Sequence, residues 1–161
     1  MQLFFMRHGD AINDLVNDVE RPLSNLGQHQ VQDMAHWLSN QLDEFDLVLV
    51  SPYLRTNQTW LEMAEFFRKP KKLVVLNDLI PSGKANMTVD VILAYAEQYE
   101  AKNVLIISHM PILGYLIAEL VPDCEPPLFA PSAVCLVERY EGKCNKVYLQ
   151  TPDKVMPEMV S

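Results

Sequence analysis

The sequence predicts an α/β domain built on a mostly parallel sheet. Two observations carry this. Gln2–Met6, Asp46–Val50 and Asn103–Ile107 are short runs rich in Leu, Ile, Val and Phe with little polar alternation, as strands covered on both faces require. The intervals between them carry apolar residues at helical spacing, and strand alternating with helix is the pattern of a parallel sheet flanked by helices. With 161 residues, 49% hydrophobic and 21% charged, the chain suits one domain over 1–161, with 151–161 as a loose tail.

The elements follow in order. After the first strand, Ser24 is placed to cap a helix whose Val31, Met34, Ala35, Leu38 and Leu42 share one face. After the second strand, Trp60, Met63, Ala64 and Phe67 mark another helix. Leu73–Leu76 is a short fourth strand, and Val89, Ile92, Leu93 and Ala96 mark a helix that Thr88 is placed to cap. Pro111 opens a helix through Leu120, a favourable place for proline. Beyond Val121 come the prolines 122, 126, 127 and 131, a loop that the pattern does not place relative to any site. Ala133–Tyr140 and Lys146–Gln150 then read as a hairpin around Glu141-Gly142-Lys143.

Charge and cysteine content exclude several classes. Net charge is −8, which disfavours nucleic acid and anionic membrane as partners and means that any phosphate site is built against the global field. Cys124, Cys135 and Cys144 are odd in number, match no zinc spacing and open no Cys-x5-Arg loop, so reduced thiols in a cytoplasmic protein are expected. The apolar start is too short for a signal peptide and has no preceding basic residue. No run approaches the ~18 apolar residues of a membrane span.

The candidate chemistry lies just past the buried strands. Gln2–Met6 leads into Arg7-His8-Gly9, Asp46–Val50 into Ser51-Pro52-Tyr53-Leu54-Arg55, and Asn103–Ile107 into Ser108-His109. Ligands of open parallel sheets bind outside the carboxyl ends of the strands, so two arginines and two histidines should converge there. Singly, each has a structural explanation: a packed histidine, a solvated arginine, a helix cap. Jointly they suit a phosphate, because Arg7 and Arg55 present forked donors that match its oxygens. Neutral His8 has a nucleophilic nitrogen near pH 7 and is the candidate attacker, with Gly9 allowing a close backbone approach. There is no Asp-rich metal cluster and no Gly-rich phosphate loop, so covalent chemistry with no metal or other cofactor is expected.

Arg7-His8-Gly9, Ser51-Pro52-x-x-Arg55 continuing to Gln58-Thr59, and Ser108-His109 resemble the histidine phosphatase superfamily, the phosphoglycerate mutase-like group, over nearly the whole chain. The small size, Met6–Asp10 and Arg21-Pro22-Leu23 are similar to its small phosphohistidine phosphatases. The resemblance implies a three-layer α/β/α sandwich with one antiparallel strand, for which Ala133–Tyr140 is the candidate. It implies His8 as the phosphorylated nucleophile, with Arg7, Arg55 and His109 completing the phosphate pocket and Arg21 adding a contact. It also implies a protein partner, a phosphohistidine-bearing phosphotransfer or histidine-kinase domain, with inorganic phosphate as product. A monomer is expected.

Two departures from the family pattern bear on function. Arg68–Lys102 holds only a strand and a helix, leaving no room for the insertion that encloses small substrates in larger members. The usual Glu proton donor is absent; Asp78 stands in the corresponding segment and Asp18 is a second candidate, each equally explained as a solvated carboxylate. An imidazole leaving group, of pKa about 6.5, tolerates a missing acid better than an alkoxide. A phosphatase for small phosphoesters or anhydrides, and a non-catalytic phosphate-binding module, remain the alternatives.

Overall fold

The computed structural model describes residues 1–13 and 17–155. Six strands, β1 (Gln2–Arg7), β2 (Leu47–Val50), β3 (Lys72–Val75), β4 (Asn103–Ser108), β5 (Val134–Tyr140) and β6 (Lys143–Gln150), form one sheet in the order β3-β2-β4-β1-β5-β6. β3, β2, β4 and β1 are mutually parallel, while β5 pairs antiparallel with both β1 and β6. The strand expected to run against its neighbours does so. The helices are α1 (Asn25–Ser39), α2 (Leu54–Ala64), α3 (Ala85–Gln98), α4 (Ile112–Leu120) and α5 (Pro152–Val155).

The period of two along each strand sorts the core into two layers. Leu3, Phe5, Leu49, Val104 and Ile106 pack against Val89, Ile92 and Ala96 of α3 and Leu113, Leu116 and Ile117 of α4. Phe4, Met6, Val48, Val50, Leu105 and Ile107 pack against Val31, Met34 and Leu38 of α1 and Trp60 and Met63 of α2. The three-layer sandwich follows. It places α1, which follows β1, and α4, which follows β4, on opposite faces although these strands are neighbours. That makes the β1/β4 seam a topological switch point, where the sheet opens a crevice.

Several boundaries differ from expectation for local reasons. The Ser24 Oγ accepts from Gly27 N at 3.0 Å and caps α1. Thr88 does not cap α3: the helix starts at Ala85 with no side-chain cap, and buried Thr88 donates from Oγ1 to the Asp78 carbonyl at 3.1 Å. The hairpin turn is Glu141-Gly142, with φ of 50° and 76°, the doubly positive geometry that matches strand twist, so Lys143 already belongs to β6. In the tail expected to be loose, α5 lies against α1 with Pro152 buried; residues 156–161 lie outside the described residues. β3 is an edge strand, entered through exposed Lys69, Lys71 and Lys72 around Pro70, residue types that discourage pairing with another chain.

Candidate active site

Register brings the three motifs to one edge. Arg7 pairs with Ser108 across β1/β4, and Val50 pairs with Ile107 across β2/β4, so His8, Ser51 and His109 leave adjacent strands side by side. The link is backbone-tight: His8 N donates to Ser108 O at 3.1 Å and Ser51 N to Ile107 O at 3.1 Å.

His8 is buried, and its two ring nitrogens have distinct neighbours. Nδ1 lies 2.7 Å from the Gly9 carbonyl, which only accepts, so Nδ1 carries the proton. Nε2 therefore presents a lone pair, which accepts from Arg55 Nε at 3.2 Å. Burial is the main cause of a pKa pushed down to about 4, with the charges of Arg55, Arg7 and Arg21 adding to it against the Gly9 hydrogen bond. The ring is neutral at pH 7. Gly9 itself is held by a bond from its N–H to Thr59 Oγ1 at 3.1 Å, and a side chain there would meet Val31, Leu23 and the Gly27 carbonyl.

Three guanidinium groups share the cleft with His8. Arg55 is buried, its Cζ 4.9 Å from the Tyr53 ring centroid, and Nη1 donates to Asp18 O at 2.7 Å. Arg7 Nη1 donates to Phe129 O at 2.8 Å, while its buried Nε has no hydrogen-bond partner among the described residues. Burial and the nearby Arg55 lower the Arg7 pKa against the pull of Asp10, though an arginine stays charged. Arg21 donates from Nε to Ile12 O at 3.0 Å. Together they line a cleft of about 330 Å³ with His8, Asp10, Asp18, Met110 and Pro131. A larger hollow of about 490 Å³ between α2 and β3 contains no histidine or arginine.

His109 completes the cluster from behind. Its ring centroid lies 5.1 Å from that of His8 and 4.8 Å from that of Tyr53. Burial first, then His8, Arg55 and Arg7, depress its pKa to about 2, so it too is neutral. Its Nε2 is 2.7 Å from Ser51 Oγ.

The structure separates the two candidate acids. Asp18 is in the cleft, bonded to Arg21 Nη1 at 3.2 Å and Arg55 Nη2 at 3.4 Å. Desolvation works upward on its pKa, but the Arg21 hydrogen bond and the Arg55 charge prevail and hold it below the usual carboxylate range. An ionised carboxylate has no proton to give, so Asp18 is better suited to holding two arginines than to general acid catalysis. Asp78 is not in the cleft at all: it is exposed on a 3-10 turn, Asn77–Leu79, beside a separate recess with Ile80, Ser82 and Lys84.

Sequence reasoning missed other parts. Asp10 lines the cleft, its Oδ2 accepting from Ser24 Oγ at 2.6 Å; a carboxylate in an anion pocket runs against charge logic, and only its adjacency to His8 signals it. The proline-rich loop ends at the cleft, where Phe129 O accepts from Arg7 and Ser132 N donates to His8 O at 3.1 Å. Gln58, already part of the sequence pattern, accepts from Leu23 N at 2.8 Å and ties α2 to the start of α1. Among the described residues no group of three or more His, Cys, Asp or Glu is placed to hold a metal ion.

Neutral imidazole nitrogens and converging guanidinium groups in a small cleft are suited to a tetrahedral oxyanion. Residues 3–80 match the family model of the histidine phosphatase superfamily (branch 1). The chain is 42% identical over 137 residues to phosphohistidine phosphatase SixA of Escherichia coli, covering 85% of this chain and 84% of that protein. It is 30% identical over 163 residues to a SixA homolog of Haemophilus influenzae, covering 97% and 98%. The fold superposes on the protein histidine phosphatase SixA complexed with tungstate with a TM-score of 0.91 at 38% identity, over 97% of this chain and 100% of that one. Arg7, His8 and Arg55 thus lie within a chain that belongs to the histidine phosphatase superfamily.

Proposed function

We propose that this protein is a phosphohistidine phosphatase that removes phosphate from a histidine of another protein through a phosphorylated His8. One observation carries the reading: a neutral imidazole whose unprotonated Nε2 meets Arg55 in a cleft that Arg7 and Arg21 also line. In the first half-reaction His8 Nε2 attacks phosphorus and the N–P bond of the substrate histidine breaks. The departing imidazole leaves as a neutral ring when its other nitrogen carries a proton. In the second, water attacks phosphorus, its hydrogens stay with the phosphoryl oxygens, and dihydrogen phosphate departs as the His8–phosphorus bond breaks. Because the Gly9 carbonyl keeps the proton on Nδ1, His8 also leaves as a neutral ring.

Both leaving groups are then imidazoles, which explains a site whose two candidate carboxylic acids are an ionised Asp18 and an exposed Asp78 that does not line the cleft. Arg55 Nε now occupies the nucleophile's lone pair, so attack requires its guanidinium to turn to a phosphoryl oxygen. Arg7 Nε is the donor already free for the same ligand. The arginines and His109 would stabilise the charge of the transferring group, where one such donor is typically worth about 3 kcal/mol.

The partner we infer is a phosphotransfer or histidine-kinase domain presenting its phosphohistidine from a folded surface. Between α2 and β4 the chain runs as β3, a 3-10 turn and α3, and of that span Pro81 lines the cleft. No helix of the described residues is long and apolar enough to cross a membrane. The three cysteines are free, Cys135 and Cys144 being buried thiols, which supports a cytoplasmic location; we take the protein to act as a monomer.

The test compares kcat/KM on a phosphohistidine-bearing phosphotransfer domain with that on phosphoserine peptides and sugar phosphates. The domain should be preferred by on the order of 10²-fold or more, the typical worth of a general acid that an alkoxide needs. Preference for a small phosphoester would point to the small-molecule phosphatase instead.

A further inference from the structure

Ser51 follows β2 and faces His109, which follows β4, across a 2.7 Å contact from Oγ to Nε2. A neutral imidazole has one N–H, and a hydroxyl has one hydrogen to donate. The contact therefore has two arrangements. If His109 Nε2–H donates, the Ser51 hydroxyl hydrogen needs another acceptor. The other partner of Ser51 Oγ among the described residues is the Tyr53 N–H, at 3.4 Å, and it is itself a donor. If Ser51 donates, Tyr53 N–H bonds to Oγ, and Oγ–H to the Nε2 lone pair. Each arrangement makes two hydrogen bonds and leaves one hydrogen over: the Ser51 hydroxyl hydrogen among donors in the first, the His109 Nδ1–H in the second. Only the second leaves the spare donor on the ring that neighbours His8, where an anion can accept it.

The consequence falls on the other nitrogen. With Nε2 as acceptor, Nδ1 carries the proton, and Nδ1 is buried with no partner among the described residues. A ring 5.1 Å from His8 then offers one unpaired N–H. We propose that Ser51 is a positioning residue that sets the tautomer of His109, so that a neutral imidazole donates from Nδ1 to the phosphoryl group. In the opposite tautomer Nδ1 would direct a lone pair at an anion and repel it. The device supplies a donor without adding charge beside His8, whose nucleophilicity depends on staying unprotonated. The depressed pKa of His109 is consistent with this: a ring that stays neutral depends on which nitrogen bears its single hydrogen.

The inference rests on the cleft being a phosphate site, and the experiment separates the two. Long-range proton–nitrogen correlation spectra of the 15N-histidine-labelled resting protein at pH 7 report the tautomer without any substrate. Wild type should show His109 protonated on Nδ1, and Ser51→Ala should shift it to Nε2–H or a mixture. The His8 pattern, protonated on Nδ1, should persist in the same spectrum and reports an intact fold. Inorganic phosphate should bind Ser51→Ala about tenfold more weakly, the usual scale for one hydrogen bond to a charged group. Ser51→Thr, which keeps a hydroxyl, should restore both. A wild-type His109 protonated on Nε2, or a tautomer unmoved by Ser51→Ala, overturns the proposal. Failure of wild type to bind phosphate strikes the phosphatase reading instead, while the resting spectrum still decides the tautomer.

Discussion

His8 and its immediate neighbours set the chemistry at the scale of single residues. Burial and three arginines hold its pKa at about 4, so the reactive neutral form should persist well below the pH at which a free histidine charges. The acid limb of kcat/KM, from initial rates, should therefore fall near pH 4; a limb near 6.5 would mean that His8 is solvated or is not the nucleophile. Asp18 gives a second prediction. Held ionised between Arg21 and Arg55, it should be replaceable by Asn with less than about a tenfold loss in kcat, whereas loss of a general acid costs on the order of 10²–10⁴. A loss of that size in Asp18→Asn would restore it as the acid. At this scale the sequence was informative about Arg7 and Arg55, which lie at or just past strand ends, whereas Arg21 follows a 3-10 turn and was signalled by the family resemblance alone. The sequence was silent about which carboxylates help: Asp18, Asp10 and Asp78 look alike as letters, and only the fold puts two beside arginines and the third elsewhere.

Loops and helix ends hold those residues in place. Gly27, in the first turn of α1, packs directly on the backbone of Asp10, and an added Cβ there would collide with the Asp10 carbonyl. Backbone cannot yield as a flexible side chain can, so Gly27→Ala should cost about 1–3 kcal/mol, read as a fall in Tm of several degrees. It should also lower kcat, because it displaces the segment that carries His8 and Asp10. Unchanged Tm and activity would show that the loop is not braced there. The strands and four main helices were legible from periodicity, and Ser24 from capping chemistry. The start of α3 was not, because Thr88 resembles a cap in sequence yet serves a bond to Asp78 O. Nor was the place of the proline-rich loop, whose contacts with Arg7 and His8 are made through main-chain groups that any residue carries.

For the molecule as a whole, the sheet order determines where chemistry can occur. Connections leaving β1 and β4 on opposite faces open the seam that His8 and His109 border, and three arginines make that seam locally basic in a chain of net charge −8. The same topology explains why motifs roughly fifty residues apart in sequence form one cleft. The central claim is that a phosphoryl group passes through His8. The most direct measurement incubates wild type and His8→Ala in EDTA with a phosphotransfer domain labelled on its histidine. It follows the label on the domain, on the protein and in free phosphate. The account predicts rapid loss from the domain with transient label on His8 in wild type, and no loss with His8→Ala. Equal rates for the two, or phosphate release with label never found on His8, would contradict it.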